Sequence, residues 1–507
     1  MKARIILDLV LILQAPWHMA LAQSPGTFAR TGDMHIARID HTATLLNDGR
    51  VLVAGGGLSY IGLGSWLYTV HASAELYDPA TGAFGPAGDM TNPRAAHTAT
   101  TLADGRVLIA GGYFHPDGTV GPSGRSIVLT SAELYDPASG TFTRTGDMTK
   151  PRRGHRAILL PDGRVLIVGL ESSMEMYDPS TGTFAALDAQ TARWFDAPVL
   201  LASGKVLLTA GISACGQDCN LGKGEANLYD PATGALASTG PMTSVQTQPV
   251  ATLLLDGRVL LTGNAGDITS DIGGCSPPCV SSELYDPVAG SFFKAALPST
   301  PRDGHTATLL PDGTVLLAGG LSPYGGAPPP ELYNPTLDSF QGNGNMATAR
   351  VGAINTLLTD GRVLFTGGWT WSTGSGGPVD LESAELYTPE HLVPAAKLYS
   401  LSGDGKGAGA ILHADTHLVV SPDNPAVAGE VVEIYGSGLS EGGAIPPRVA
   451  IGGRTGEVLW FGGSPVYPGL NQINVRVPNG IVPGPAVPVR LTYLGRTSNA
   501  VTIGVQR

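Results

Sequence analysis

The sequence predicts an all-β protein, a closed seven-bladed β-propeller followed by an immunoglobulin-like β-sandwich. Three observations lead there. Three short signatures recur together seven times between residues 26 and 390, at a spacing of about 40 to 60 residues, the range of propeller blades. The array has an orphan strand at each end, as a ring that locks first to last requires. The composition agrees: 70 glycines in 507 residues and only 14% charged side chains suit tight turns between short strands, not amphipathic helices.

The first signature runs HTATLLNDGRVLVAGG (41–56), HTATTLADGRVLIAGG (97–112), HRAILLPDGRVLIVG (155–169), DAPVLLASGKVLLTAG (196–211) and PVATLLLDGRVLLTG (249–263). It returns at 305–320 and as AINTLLTDGRVLFTGG (353–368). Its two apolar halves alternate little, which suits inner strands covered on both faces. Pro161 and Pro311 stand at the first corner of the turn, and proline cannot take positive φ. The turn is therefore type I with a left-handed glycine after it, which predicts positive φ at Gly49, Gly105, Gly163, Gly204, Gly257, Gly313 and Gly361.

The second signature is the ELYDP type, at 75, 133, 175, 227, 283, 331 and 385, where aspartate caps the next backbone turn and proline presets it. The third is a short strand such as GAFGPAGDM (82–90). Each repeat thus holds four antiparallel strands. The strand in 26–34 precedes the first repeat and the last ELYTP has none after it, so 26–34 is expected to complete the seventh blade.

Residues 1–22 read as a secretory signal: Lys2 and Arg4, an apolar run from Ile5 to Leu13, then Ala20-Leu21-Ala22 before the cleavage point. That run is far short of the roughly 20 residues a membrane span needs. The expected localisation is extracellular or periplasmic. A net charge of −12 disfavours nucleic acid and anionic membranes as partners. The four cysteines, at 215, 219, 275 and 279, form an even set in an exported chain, and the local pairs Cys215–Cys219 and Cys275–Cys279 are the cheapest to close. A four-thiolate zinc site is the alternative, with a spacing that departs from the usual knuckle.

The glycine pair, the Tyr-Asp-Pro, the aromatic strand and the Arg-x-x-His lead-in resemble the kelch repeat across residues 23–390. The form RxxHTAxLLPDGxV is more particularly similar to the propeller of galactose oxidase and glyoxal oxidase. That resemblance implies copper ligands: a Tyr-His pair before the first strand, a second tyrosine at another lead-in, and a histidine from outside the propeller. Here the residue before the histidine is Asp40, Ala96, Gly154 or Gly304. Phe195 stands where the other phenol is needed. His413 and His417 could imitate the external histidine, but without phenols they make a poor radical site. Copper oxidase chemistry is therefore disfavoured, and no metal, cofactor or catalytic residue is assigned.

Residues 391–415 read as a linker. From 416 to 507, short alternating strands such as AGEVVEIYGSGL (428–439) resemble the IPT/TIG immunoglobulin-like module of exported bacterial proteins.

Candidate binding residues follow from strand alternation. The loops after the glycine pair and the lead-ins to the next blade share one face, and those loops vary in length, which is where specificity on a rigid scaffold usually lies. They carry Tyr60, Trp66, Tyr113, Phe114, Tyr324, Trp369 and Trp371. At the same face Arg38, Arg94, Arg152, Arg193, Arg302 and Arg350 occupy one repeat position, with Gln246 the exception. They could rim a mouth that grips carboxylates or acidic glycans. Alternatively, each arginine ties a lead-in loop to its neighbour and each following histidine hydrogen-bonds backbone between blades. The reading is an exported, non-catalytic, monomeric protein that binds a glycan or protein ligand through this face. The alternative is a carbohydrate-active enzyme, of oxidase or isomerase type, with its site at the channel mouth.

Overall fold

The computed structural model describes residues 26–62, 65–116, 119–120, 126–169, 173–187, 197–209, 224–244, 246–265, 280–322, 325–371, 377–440 and 442–506. These form two compact units, Thr27–Thr388 and, with Gly26, Pro389–Arg507. The described residues are strands and turns throughout, and none of them forms a helix able to cross a membrane.

The first unit is a ring of seven four-stranded antiparallel sheets. Blade one runs Thr42–Leu45, Val51–Ala54, Ser73–Asp78, Ala83–Asp89 from inside to outside, and blades two to six repeat that order. In blade seven the inner three strands are Ile354–Leu357, Val363–Thr366 and Ala384–Thr388. Its outer strand is Thr27–Arg30, registered as Thr27 opposite Thr388 and Arg30 opposite Glu385. The inner strands of blades seven and one also touch, so the ring is closed by its own termini.

The turn geometry arises as the local sequence dictates. All seven turn glycines have positive φ, from 81° at Gly204 to 97° at Gly361. In blade one Leu46 accepts the Gly49 amide at 3.0 Å while Asp48 Oδ1 accepts the Arg50 amide at 3.0 Å.

The core lies between blades. Val51 and Val53 pack on Leu358 and Leu364 of blade seven, while Leu52 and Ala54 pack on Val107 and Ile109 of blade two. Both faces of the second strand are thus buried, which is why it reads as an unbroken apolar run. The ELYDP tyrosines are fully buried, and Tyr77, Tyr177 and Tyr285 reach a threonine of the preceding blade through their hydroxyls, Tyr77 to Thr31 at 2.9 Å.

The second unit is one nine-stranded sheet, curled over a core as a sandwich would be. Val431–Ser437, Asn471–Arg476 and Arg454–Gly463 lie side by side, and Arg454–Gly463 pairs on to Arg448–Ile451, beyond which come Gly484–Tyr493 and Val501–Val505. Ile434, Val475, Val489 and Ile503 fill one core. Residues 391–415, expected as a linker, are partly strand: Lys397–Leu398 and Ile411–His413 both pair with Val431–Ser437. The apolar Ile411 and Leu398 are buried in the core, which draws their backbone into the sheet.

Candidate functional site

The site expected at the variable-loop face is best tested residue by residue. Arg38, Arg94, Arg152, Arg302 and Arg350 are buried, between 0% and 4% exposed. Each pairs with the glutamate of its own blade: Glu75 at 3.0 Å, Glu133 at 2.6 Å, Glu175 at 3.0 Å, Glu331 at 2.6 Å and Glu385 at 2.9 Å. Arg38 also donates to the Gly55 carbonyl and to Ser73 Oγ. These five arginines do not rim a mouth, which corrects that expectation. A buried guanidinium needs a fixed carboxylate and several carbonyls, and the blade supplies both. Arg193 lies outside the described residues, as do Tyr324 and all four cysteines. Tyr60 and Trp66 lie on described backbone only.

The histidines three residues on are equally engaged. His97 Nε2 meets Thr42 Oγ1 at 3.1 Å and His155 meets Thr98 at 3.0 Å, each across to the preceding blade. His305 reaches Thr262 at 2.9 Å and His41 reaches Thr366 at 2.9 Å. Nδ1 of His41, His97 and His305 is turned toward the carbonyl of the arginine three residues earlier, short of full hydrogen-bond geometry. Burial, reinforced by that neighbouring arginine, pushes His41, His155 and His305 down to about 3, and His97 well below its ordinary value. They are neutral latches between blades. The glycine pair exists to admit them: a Cβ on Gly55 would lie 2.8 Å from His97 Cε1 and 2.4 Å from the Arg94 carbonyl oxygen.

Beside the latches, the first strands line an open pocket of about 390 Å³, with Asp40, Thr42, Thr44, Thr98, Arg156 and Ile354 among its walls. Arg156 stands where blades one and two carry Thr42 and Thr98. Asp40 and Ala96 hold φ of 53° and 50°, a left-handed conformation that glycine takes at 154, 304 and 352.

Above the ring, the chain past the glycine pair of blades seven, one and two forms further strand, at Trp369–Trp371, Gly57–Gly62 and Tyr113–Phe114. Each extension is pinned to its lead-in, through Val351–Trp369, Ile39–Gly57 and Ala95–Tyr113 bridges. The hairpin Gly57–Gly62 with Ser65–Val70 gains a third strand, Thr119–Val120, from blade two, and Pro378–Asp380 of blade seven touches it. The result is a raised β-layer over three consecutive blades. Trp369 and Trp371 meet edge to face at 5.7 Å, with Trp371 52% exposed, and Arg153 sits 5.1 Å over the Tyr113 ring. Phe114 beside it is half-buried.

No protein-family model matches the chain, and no curated protein does. Among solved structures the chain is similar to a fungal alcohol oxidase of the AA5 family, in complex with copper. The two share a fold. The TM-score is 0.56 at 16% identity, covering 96% of this chain and 100% of that one, so the likeness spans both units and carries architecture alone. Copper ligation does not fit the described lead-ins. No phenol stands beside His41, His97, His155 or His305, and each Nε2 is already held by a threonine. Phe195 lies outside the described residues.

Sequence reasoning missed two partners in this site. The glutamates of the ELYDP strands carry no assigned role in the sequence reading, although their recurrence along with a recurring arginine was a usable signal. The threonines at 262 and 366 gave none, because they occupy a different strand from Thr42 and Thr98.

Proposed function

We propose that the chain is an exported, non-catalytic recognition protein that binds a glycan or a protein segment through the β-layer raised by blades seven, one and two. One observation carries the reading. The polar groups repeated in most blades are engaged in holding the blades and the ring together, whereas the Trp369–Trp371 pair and the Arg153–Tyr113 stack break the repeat and put aromatic surface on the raised β-layer, with Trp371 52% exposed. Exposed and half-exposed aromatic rings on a rigid β-layer suit the apolar faces of sugar rings or an aromatic-poor peptide. Residues 1–22, read as a secretory signal, support export, and the acidic net charge supports a partner other than nucleic acid.

The test is binding by the purified mature chain to an array of acidic and neutral oligosaccharides and of peptides. Trp371→Ala is expected to weaken the strongest hit at least about tenfold, with unchanged melting because the ring is half in solvent. A hit insensitive to Trp371, Trp369 and Tyr113 together would sink the reading.

A second reading is favoured by the shared fold: a carbohydrate-active enzyme, oxidase or isomerase in type, working at the channel mouth. Its test is peroxide release and sugar isomerisation with galactose and simple alcohols after incubation with copper. Turnover by the wild type that Asp40→Asn or Arg156→Ala abolishes would establish it over the first.

A further inference from the structure

The second unit holds a grouping of donors unrelated to the propeller face. The chain leaves strand Ile411–His413 through a tight turn, closed by the His417 amide donating to the His413 carbonyl at 2.9 Å. His417 itself takes φ of 53°, and the chain then returns to bridge Val419 with Leu412. The turn brings Asp415 back toward the His413 ring. Glu430, just before strand Val431–Ser437, approaches from the other side.

One ligand atom from each of His413, Asp415 and Glu430 lies within 4.8 Å of the others, and this is the one such trio of histidine and carboxylates among the described residues. His413 is buried at 7% exposure, Glu430 is half-buried and Asp415 faces solvent. His413 Nε2 lies 3.1 Å from the Asn424 carbonyl oxygen. A carbonyl only accepts, so Nε2 carries the proton. In the neutral ring Nδ1 is then a lone-pair donor, and it faces Glu430 Oε1 directly. Glu430 is itself oriented, since its Oε2 accepts the Val427 amide at 2.9 Å. Two electron-pair donors held face to face require an electrophile between them, either a proton or a metal ion.

We propose that His413 Nδ1, Glu430 and Asp415 bind a divalent cation, with zinc the best match. One imidazole and two carboxylates form a nitrogen–oxygen set of the kind zinc accepts, whereas calcium and magnesium prefer oxygen alone. The Nε2–H contact to a backbone carbonyl is the outer contact that orients metal-binding histidines. Asp415 on the open side leaves room for water to complete the shell. The bound ion ties the 414–430 segment to the two strands it connects, so its effect is on stability and not on the propeller face.

The experiment uses chelator-stripped full-length protein, titrated with zinc by calorimetry at pH 7 and melted with and without the ion. One equivalent is expected to bind and raise the melting temperature. Asp415→Asn, at an exposed turn that does not threaten folding, and Glu430→Gln are each expected to weaken binding at least tenfold, while His417→Gln leaves it unchanged. Cobalt substitution is expected to report nitrogen and oxygen ligands without the intense thiolate band that the cysteines would give. Absence of binding, or zinc binding that survives both Asp415→Asn and Glu430→Gln, overturns the proposal; a proton shared between His413 and Glu430 then accounts for the contact.

Discussion

Blades one, two, three, six and seven each contain a buried arginine–glutamate pair, whereas blades four and five each lack one member. Blade four has Asn227 where the others have glutamate, and blade five has Gln246 where the others have arginine. Glu283 of blade five is left with the Thr243 and Ser244 amides and the Ser244 hydroxyl, and Gln246 turns to Ser281 Oγ at 3.1 Å. The histidine latch is missing from the same two blades, where Asp196 and Pro249 replace it, and from blade seven, where Ala353 does although the Arg350–Glu385 pair is kept. Partners change with it. Thr209 of blade four, with no histidine to meet, bonds the Ala197 carbonyl at 3.0 Å, and Thr306, facing Ala353 of the next blade, bonds Ala318 at 3.3 Å. Blades five and seven have Val250 and Ile354 on the first strand in place of threonine, yet they precede blades with a latch histidine. There the second strand supplies Thr262 and Thr366 instead. The repeated groups are structural here: each of His41, His97, His155 and His305 keeps a threonine partner, whichever strand must supply it, and where a member is lost the one left behind bonds inside the protein instead.

That comparison can be broken most sharply at the ion pairs. Arg94→Ala leaves Glu133 buried without a cation and is expected to cost about 3–5 kcal/mol in urea unfolding. Gln246→Ala, removing only a neutral contact, is expected to cost about 1 kcal/mol. Equal losses would show that the pairs are incidental to the regular blades.

Acid probes the latches. The folded-state values of His41, His155 and His305 lie near 3 and the unfolded value near 6.5, so the unfolded chain takes up protons first as pH falls. Their contribution is fully present above about pH 6.5 and is lost progressively toward pH 3. The urea midpoint is expected to drop across that window, and His305→Asn to flatten part of the drop. A flat midpoint between pH 7 and 4 contradicts buried, neutral latches.

Thr366→Val strands His41 Nε2 in the core and is expected to cost about 1–3 kcal/mol, against about 1 kcal/mol for Thr209→Val, whose hydroxyl meets only a carbonyl. The smallest effect is a gain. Gln246→Arg gives Glu283 the partner found elsewhere and is expected to raise stability by about 1 kcal/mol in the same assay. A loss would mean that blade five has closed around the shorter side chain.

The sequence by itself determined the ring: four strands per repeat, seven turn glycines at positive φ, and an opening strand shaped to complete the last blade. Such features depend on contacts within a few residues, or on a repeat whose copies explain one another. Only the tertiary structure decided what the repeated polar residues do. Arg94 and Glu133 are 39 residues apart and meet only once their blade has folded, and His41 and Thr366 are 325 apart and meet only once blade one stacks on blade seven. The same holds for residues 391–415, which read as a linker by composition and are strand at 397–398 and 411–413 because Leu398 and Ile411 found a core to enter. It holds as well for the β-layer, where strands from three blades converge over one face. Local sequence sets φ and alternation, but burial decides whether an arginine grips a ligand or its own blade.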